Sequence, residues 1–141
     1  MMTQSLRSIL VIAAVIASAV FTSANAAAQE PTLSDLSVTS ATLTREGRAD
    51  FFWSVSCSAE GETVYFDFTA SQDVGRTETG DSFNFASAVC VDGTASAGYG
   101  TFSGFQAGPA TVGISACTSE GTVCISTSEK VILSYSPYRP R

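Results

Sequence analysis

The sequence contains no histidine, a single lysine and a single tryptophan, and only 14% of its 141 residues are charged. Without an imidazole, Ser-His-Asp triads, Cys-His dyads and histidine metal sites are excluded. The 13 acidic residues outnumber the 7 basic ones, and this sign of net charge is wrong for phosphate contacts. We therefore expect no nucleic-acid partner, and the length predicts one domain.

The longest apolar run lies near the N-terminus, at residues 9–21, and follows Arg7. It is shorter than the roughly 20 apolar residues that span a membrane, and A-x-A sites end at Ala26 and Ala28. This pattern predicts a secretory signal peptide over residues 1–28, with an uncleaved anchor as the alternative. The mature chain is expected to be secreted, extracellular, monomeric and without a membrane anchor.

All four cysteines, Cys57, Cys90, Cys117 and Cys124, follow this segment. An even number of cysteines in a small exported domain favours disulfides over metal binding. A zinc site would need all four thiolates, and the close C-x-x-C pairs of such sites are absent, so we expect no cofactor or metal. Of the three possible pairings, inward strand parity favours Cys57–Cys90, and a hairpin favours Cys117–Cys124.

Apolar and polar residues alternate from Ala49 onward, as in Phe51, Trp53 and Val55, and a period of two indicates strands. The inward parity switches near Ala86, which predicts a bulge or bend there. The polar stretch 73–81 is predicted to be a loop or a poorly formed edge.

Together, these signals predict an all-β fold, an immunoglobulin-like β-sandwich of about seven antiparallel strands with two disulfides. A small closed barrel is the alternative. The domain is expected to span residues 29–134, and residues 135–141 to form a flexible C-terminal tail.

Several local signatures occur in order along the mature chain. They are Phe52-Trp53-Ser54-Val55-Ser56-Cys57, Gln72-Asp73-Val74-Gly75-Arg76, Cys90-Val91-Asp92-Gly93, residues 105–112 and Ala116-Cys117. Through them the chain resembles a group of small secreted immunoglobulin-like proteins of actinomycete-type bacteria. The resemblance implies a two-disulfide β-sandwich and brings no established activity with it. A fainter similarity, through residues 112–117 and the short Cys117–Cys124 spacing, is to the chromoprotein-antibiotic carriers, which would imply ligand carriage.

Two places are candidate binding surfaces. Arg76 can present a planar guanidinium to an anionic or carbohydrate partner, although a turn with Gly75 at positive φ explains the same residues structurally. Tyr99 and Phe102 lie among small residues and can supply stacking area. The structural alternative is a strand whose Phe105 packs beneath a turn.

Carboxylates offer weaker candidates. Asp73, Glu78 and Asp81 lack the spacing of a calcium loop and are expected to be solvated. Glu60, Glu62 and Asp67 are candidate paired carboxylates for glycoside hydrolysis. However, Glu60 and Glu62 flank a turn glycine, and a chain of this size offers no deep cleft. Serine and threonine hydroxyls have no base to activate them, apart from the single Lys130 that no motif supports.

The sequence therefore predicts a non-enzymatic secreted binding or structural module for an unknown protein or glycan partner. The alternative is a small secreted inhibitor of a foreign hydrolase. An inhibitor should present one rigid exposed loop, and the hairpin closed by Cys117 and Cys124 is the candidate, with Ser119, Glu120 and Thr122 as contact residues.

Overall fold

The computed structural model describes residues 30–75, 77–101 and 104–137, with the side chain of Asn84 left out. The predicted signal peptide, Arg76, Phe102 and the last four residues of the predicted tail lie outside the described residues. Within these ranges the chain is all-β, and no helix has the length and apolarity of a membrane span.

The described residues form seven strands that pair antiparallel in two sheets. Sheet A has the order β1-β2-β5, and sheet B the order β4-β3-β6-β7. The strands are β1 Leu33–Leu43, β2 Ala49–Cys57, β3 Thr63–Val74, β4 Thr77–Val89, β5 Thr94–Gly100, β6 Gly108–Thr118 and β7 Cys124–Leu133. This confirms the predicted sandwich, although β4 pairs with β3, whereas the fourth strand of an immunoglobulin constant domain joins the sheet of the first two.

The core lies between the sheets and is rich in aromatic rings. Trp53 of sheet A stacks on Phe68 of sheet B with ring centroids 5.0 Å apart. Phe51 contacts Phe68 at 5.2 Å and Phe105 edge-on at 6.1 Å. Such pairs contribute roughly 0.5–1.5 kcal/mol each beyond their buried area. Because the Trp53–Phe68 and Phe51–Phe68 pairs connect rings from opposite sheets, they fix how the sheets face each other.

Both predicted disulfides are present. Cys57, at the end of β2, bonds to Cys90, just after β4, so this bridge links sheet A to sheet B. Cys117 and Cys124 are directly opposed in the β6–β7 hairpin, with Cα atoms 4.1 Å apart. The first bridge fastens the two layers, and the second closes a loop.

The predicted bulge is confirmed in the β3–β4 ladder. Asp67 pairs with Asn84 and Phe66 with Ala86, which leaves Phe85 without a partner on β3. Phe85 also has a φ of 88°, which is a true outlier for a bulky residue.

The prediction for 73–81 is a loop or a poorly formed edge. The loop is wrong, whereas the edge agrees with β4, which begins at Thr77 and is an edge strand of sheet B. The β3–β4 ladder continues through the pairs Asp73–Glu78 and Val74–Thr77, and Gly75 at φ 63° allows the chain to reverse within two residues. Main-chain pairing needs no apolar side chains, so a polar sequence can still form the end of this hairpin.

Two residues of the predicted tail are paired with the domain. Tyr135 forms a parallel bridge with Leu43, and the Ser136 N–H donates to the Leu43 carbonyl at 3.2 Å. These contacts place the segment after β7 beside the end of β1.

Candidate binding surfaces

The loop closed by Cys117 and Cys124 is held by hydrogen bonds inside the loop and by the side chain of Glu62, which lies outside it. The Thr118 N–H donates to the Val123 carbonyl at 2.9 Å, and the Gly121 N–H donates to the Thr118 carbonyl at 2.8 Å. Ser119, Glu120, Gly121 and Thr122 remain exposed at the tip.

Glu62, in the turn just before β3, connects this loop to the start of β3. Its Oε1 accepts the Ser119 N–H at 3.0 Å and the Ser119 hydroxyl at 2.5 Å. The Ser119 hydroxyl, followed by the Ser119 N–H, holds the pKa of Glu62 below its ordinary value. The loop is thus a rigid exposed element, as an inhibitor requires.

Tyr99 faces the interior at the corner where β5 of sheet A meets β4 of sheet B. Its ring stacks on Phe83 with centroids 4.6 Å apart and contacts Phe68 at 5.5 Å. Its hydroxyl donates to Asp81 Oδ2 at 3.2 Å. Burial, followed by the charge of Asp81, raises the pKa of Tyr99. These contacts give Tyr99 a structural part in closing the corner.

The polar stretch around Gln72 is likewise structural where it is described. Gln72 is only 3% exposed. Its Nε2 donates to the Gln106 carbonyl at 2.8 Å and the Pro109 carbonyl at 3.2 Å, and its Oε1 accepts the Gln106 N–H at 2.8 Å. Gln72 therefore pins the segment before β6 to β3. Sequence reasoning missed it, because an inward-facing amide at the end of a strand has no signature beyond its parity.

The remaining carboxylates are spread over separate places. Glu60 Oε2 accepts the Asp92 N–H at 3.0 Å, which joins two turns. Asp73 and Glu78 oppose each other on the β3–β4 hairpin. Among the described residues, no three or more cysteine, aspartate and glutamate side chains gather into a possible metal site.

Two exposed phenylalanines were not singled out from the sequence. Phe85 is 79% exposed at the bulge of edge strand β4. Phe52 is 52% exposed on the outer face of sheet A, opposite Gly98 of β5. The parity switch pointed to the bulge, but only the register between β2 and β5 places a glycine beside Phe52.

Comparison with known proteins identifies no family. No family model matches the chain, and no curated protein does. Among solved structures, the alkylpurine DNA glycosylase AlkC of Pseudomonas fluorescens, bound to DNA containing an abasic site analog, matches 74% of this chain with 13% identity and a TM-score of 0.40. The sporulation control protein Spo0M of Bacillus subtilis matches 76% with 10% identity and a TM-score of 0.38. The matched regions span 30% and 50% of those two chains.

Proposed function

We propose that the protein is a secreted, non-enzymatic β-sandwich module that binds a partner through exposed aromatic side chains. The observation that carries this proposal is Phe85, which is 79% exposed at a φ of 88°. Such a backbone costs about 1–3 kcal/mol in a bulky residue, and the ring lies outside the hydrophobic core. A strained residue that adds nothing to the core is best explained by a contact with another molecule.

Export and the lack of catalysis are supported by different observations. Two disulfides suit an oxidising compartment, in agreement with the predicted signal peptide. The carboxylates Glu60 and Glu62 bind main-chain groups of neighbouring turns, and the sequence has no histidine to act as a base. Export is tested by N-terminal sequencing of the protein from the culture medium, which should begin after Ala26 or Ala28.

Binding is tested by co-purification from the producing culture, comparing the wild type with Phe85→Ser and Phe85→Tyr. A partner identified by mass spectrometry should be lost with serine and kept with tyrosine. Tyr135→Ser, which alters an aromatic residue that is 56% exposed elsewhere, is the matched control. Equal recovery with all four proteins would contradict a role for Phe85.

The second candidate is a hydrolase inhibitor, and the fastening of the 118–123 loop favours it. A loop held by a disulfide and by Glu62 loses little entropy on binding, which benefits affinity. A panel of proteases and amylases should then show near-stoichiometric inhibition that Glu120→Ala weakens and Lys130→Ala does not. No inhibition across the panel would remove this candidate.

A further inference from the structure

The outer face of sheet A has two glycines on β5, each covered by a side chain from the neighbouring strand. Gly98 pairs with Phe52, and Gly100 pairs with Asp50. Alternate residues of a strand face the same side and are about 6.6–6.8 Å apart. The two covered glycines therefore lie next to each other on one face.

The ring of Phe52 lies against Gly98. A Cβ at position 98 would come within 2.5 Å of Phe52 Cδ1 and 2.6 Å of Cε1. A glycine is needed here for this close approach, because any side chain would displace the ring. Since Phe52 is still 52% exposed, one side of the ring contacts the sheet and the other is open to a ligand.

An ion pair covers Gly100 in the same way. Arg48 Nε lies 3.0 Å from Asp50 Oδ1, and a Cβ at position 100 would come within 2.8 Å of Asp50 Oδ1 and 3.0 Å of Arg48 Nε and Nη2. The pair brings both hydrogen-bond donors and acceptors to the surface beside the ring. Its opposite charges cancel, so this surface has no net charge of its own.

Hydroxyl groups continue the row on the other side of the ring. Ser54 pairs with Ser96, and Ser56 pairs with Thr94, on the same outward parity as Phe52. A shallow groove of about 420 Å³ runs alongside, lined by Thr39, Phe52, Trp53, Ser96, Ala97 and Gly98. We name the surface formed by Arg48, Asp50, Phe52, Ser54 and Ser96 the Phe52 platform.

We propose that the Phe52 platform binds a neutral polysaccharide. The apolar face of one pyranose would stack on Phe52, while the hydroxyls of neighbouring sugars would bond to Arg48, Asp50, Ser54 and Ser96. The inference rests on the proposed binding function and adds a second site, separate from Phe85, together with its ligand class.

The shape and composition favour a chain of sugars over other occupants. Small molecules bind in enclosed pockets that bury most of their surface, whereas this platform is open and extended. Protein interfaces have an apolar centre of several packed residues, whereas here one ring stands among hydroxyls and glycines. A neutral ligand also avoids the repulsion that an anionic polymer would meet at a protein of net charge −6.

The test is a pull-down of the full mature protein with insoluble cellulose, chitin and xylan. Phe52→Leu keeps an apolar side chain but has no ring face, and Phe52→Trp keeps the ring face. We expect leucine to weaken binding at least tenfold and tryptophan to preserve it. Gly98→Ala, which leaves Phe52 in the sequence but displaces its ring, should also weaken binding, and circular dichroism verifies that each variant is folded.

Tyr65→Leu is the matched control, since it removes an exposed aromatic ring on β3 of sheet B, outside the platform. Equal retention of wild type and Phe52→Leu would overturn the platform, as would loss with Tyr65→Leu alone, although that second result would still support a binding function. Retention on none of the three polysaccharides overturns the inference, and the co-purification experiment then decides the binding function separately. A concentration-dependent dimer that Phe52→Leu abolishes would assign the platform to a second copy and would also overturn the inference.

Discussion

The carboxylate of Glu129 reaches across the sandwich to the main chain of Val38. Its Oε1 and Oε2 lie 3.3 and 3.4 Å from the Val38 nitrogen, whose N–H donates to both. Val38 lies at a register shift of β1, where the chain departs from its regular pairing with β2. Glu129 thus closes the β1–β7 corner, as Tyr99 and Asp81 close the β4–β5 corner.

Replacing Glu129 should destabilise the fold through this contact. Glu129→Ala leaves a partly buried N–H unpaired, so the free energy of unfolding should fall by about 1–2 kcal/mol. Urea denaturation measures the change, with Lys130→Ala at the exposed next position as the control. Equal midpoints for the two variants would contradict a role for Glu129 at the corner.

Phe85→Gly should make the protein more stable. Glycine adopts positive φ without steric strain, and the ring that is lost contributes nothing to the core. We expect a rise of about 1 kcal/mol in the free energy of unfolding, within the range of such strain. Thermal denaturation tests this, and a lower melting temperature would mean that the ring makes a stabilising contact.

Tyr99 predicts a loss of stability in alkali. Its pKa is raised in the folded state by burial and by the charge of Asp81, so the unfolded chain releases this proton at lower pH. The stabilisation of the folded state by this pKa shift is fully present below about pH 10, the ordinary tyrosine pKa. It is lost as the pH rises through the pKa of Tyr99 in the folded state. Tyr99→Phe should flatten the stability profile above about pH 10, while Tyr65→Phe, at an exposed tyrosine, should leave it steep.

The lowered pKa of Glu62 predicts the opposite pH dependence, a loss of folding stability in acid. Because hydrogen bonds from Ser119 lower its pKa, the stabilisation is present above the ordinary pKa of about 4.3 and is lost as the pH falls through the folded value. Ser119→Ala should move the pKa of Glu62, followed by NMR titration, back toward its ordinary value. Thr122→Ala changes another exposed residue of the loop and should have no effect.

The two disulfides should open in a fixed order under a mild reductant. Cys124 is exposed and Cys117 half-buried, whereas Cys57 is 8% and Cys90 0% exposed. Access governs attack by a thiolate, so alkylation and mass mapping should find Cys117 and Cys124 modified first. Earlier modification of Cys57 would contradict the burial of the first bridge.

Alternation in the sequence is sufficient to predict strands that have one buried face. In β2 and β6, buried residues occur at every second position, so their inward faces follow from parity. Strand β1 was not predicted, because two register shifts move its buried residues off a period of two. Strand β7 has its run of apolar residues only near its end, at Val131, Ile132 and Leu133, since its first half presents hydroxyls on an edge of sheet B.

The candidate surfaces were less predictable, because they depend on which residues lie opposite each other. Tyr99 was singled out as a surface residue, yet parity and register turn its ring toward Phe83. Phe52 shares that ladder but faces outward, and its neighbour Gly98 lies 46 positions later in the chain. A shift of one residue in the pairing of β2 with β5 would exchange the inward and outward faces. No local pattern in the sequence encodes that pairing.

The position of Trp53 provides a spectroscopic reporter for these experiments. It is the only tryptophan in the sequence, it is fully buried, and its ring stacks on Phe68 from the opposite sheet. Its fluorescence emission should therefore be blue-shifted in the native state and move to longer wavelength when the sheets separate. A single fluorophore between the layers thus records the integrity of the whole sandwich without an added label.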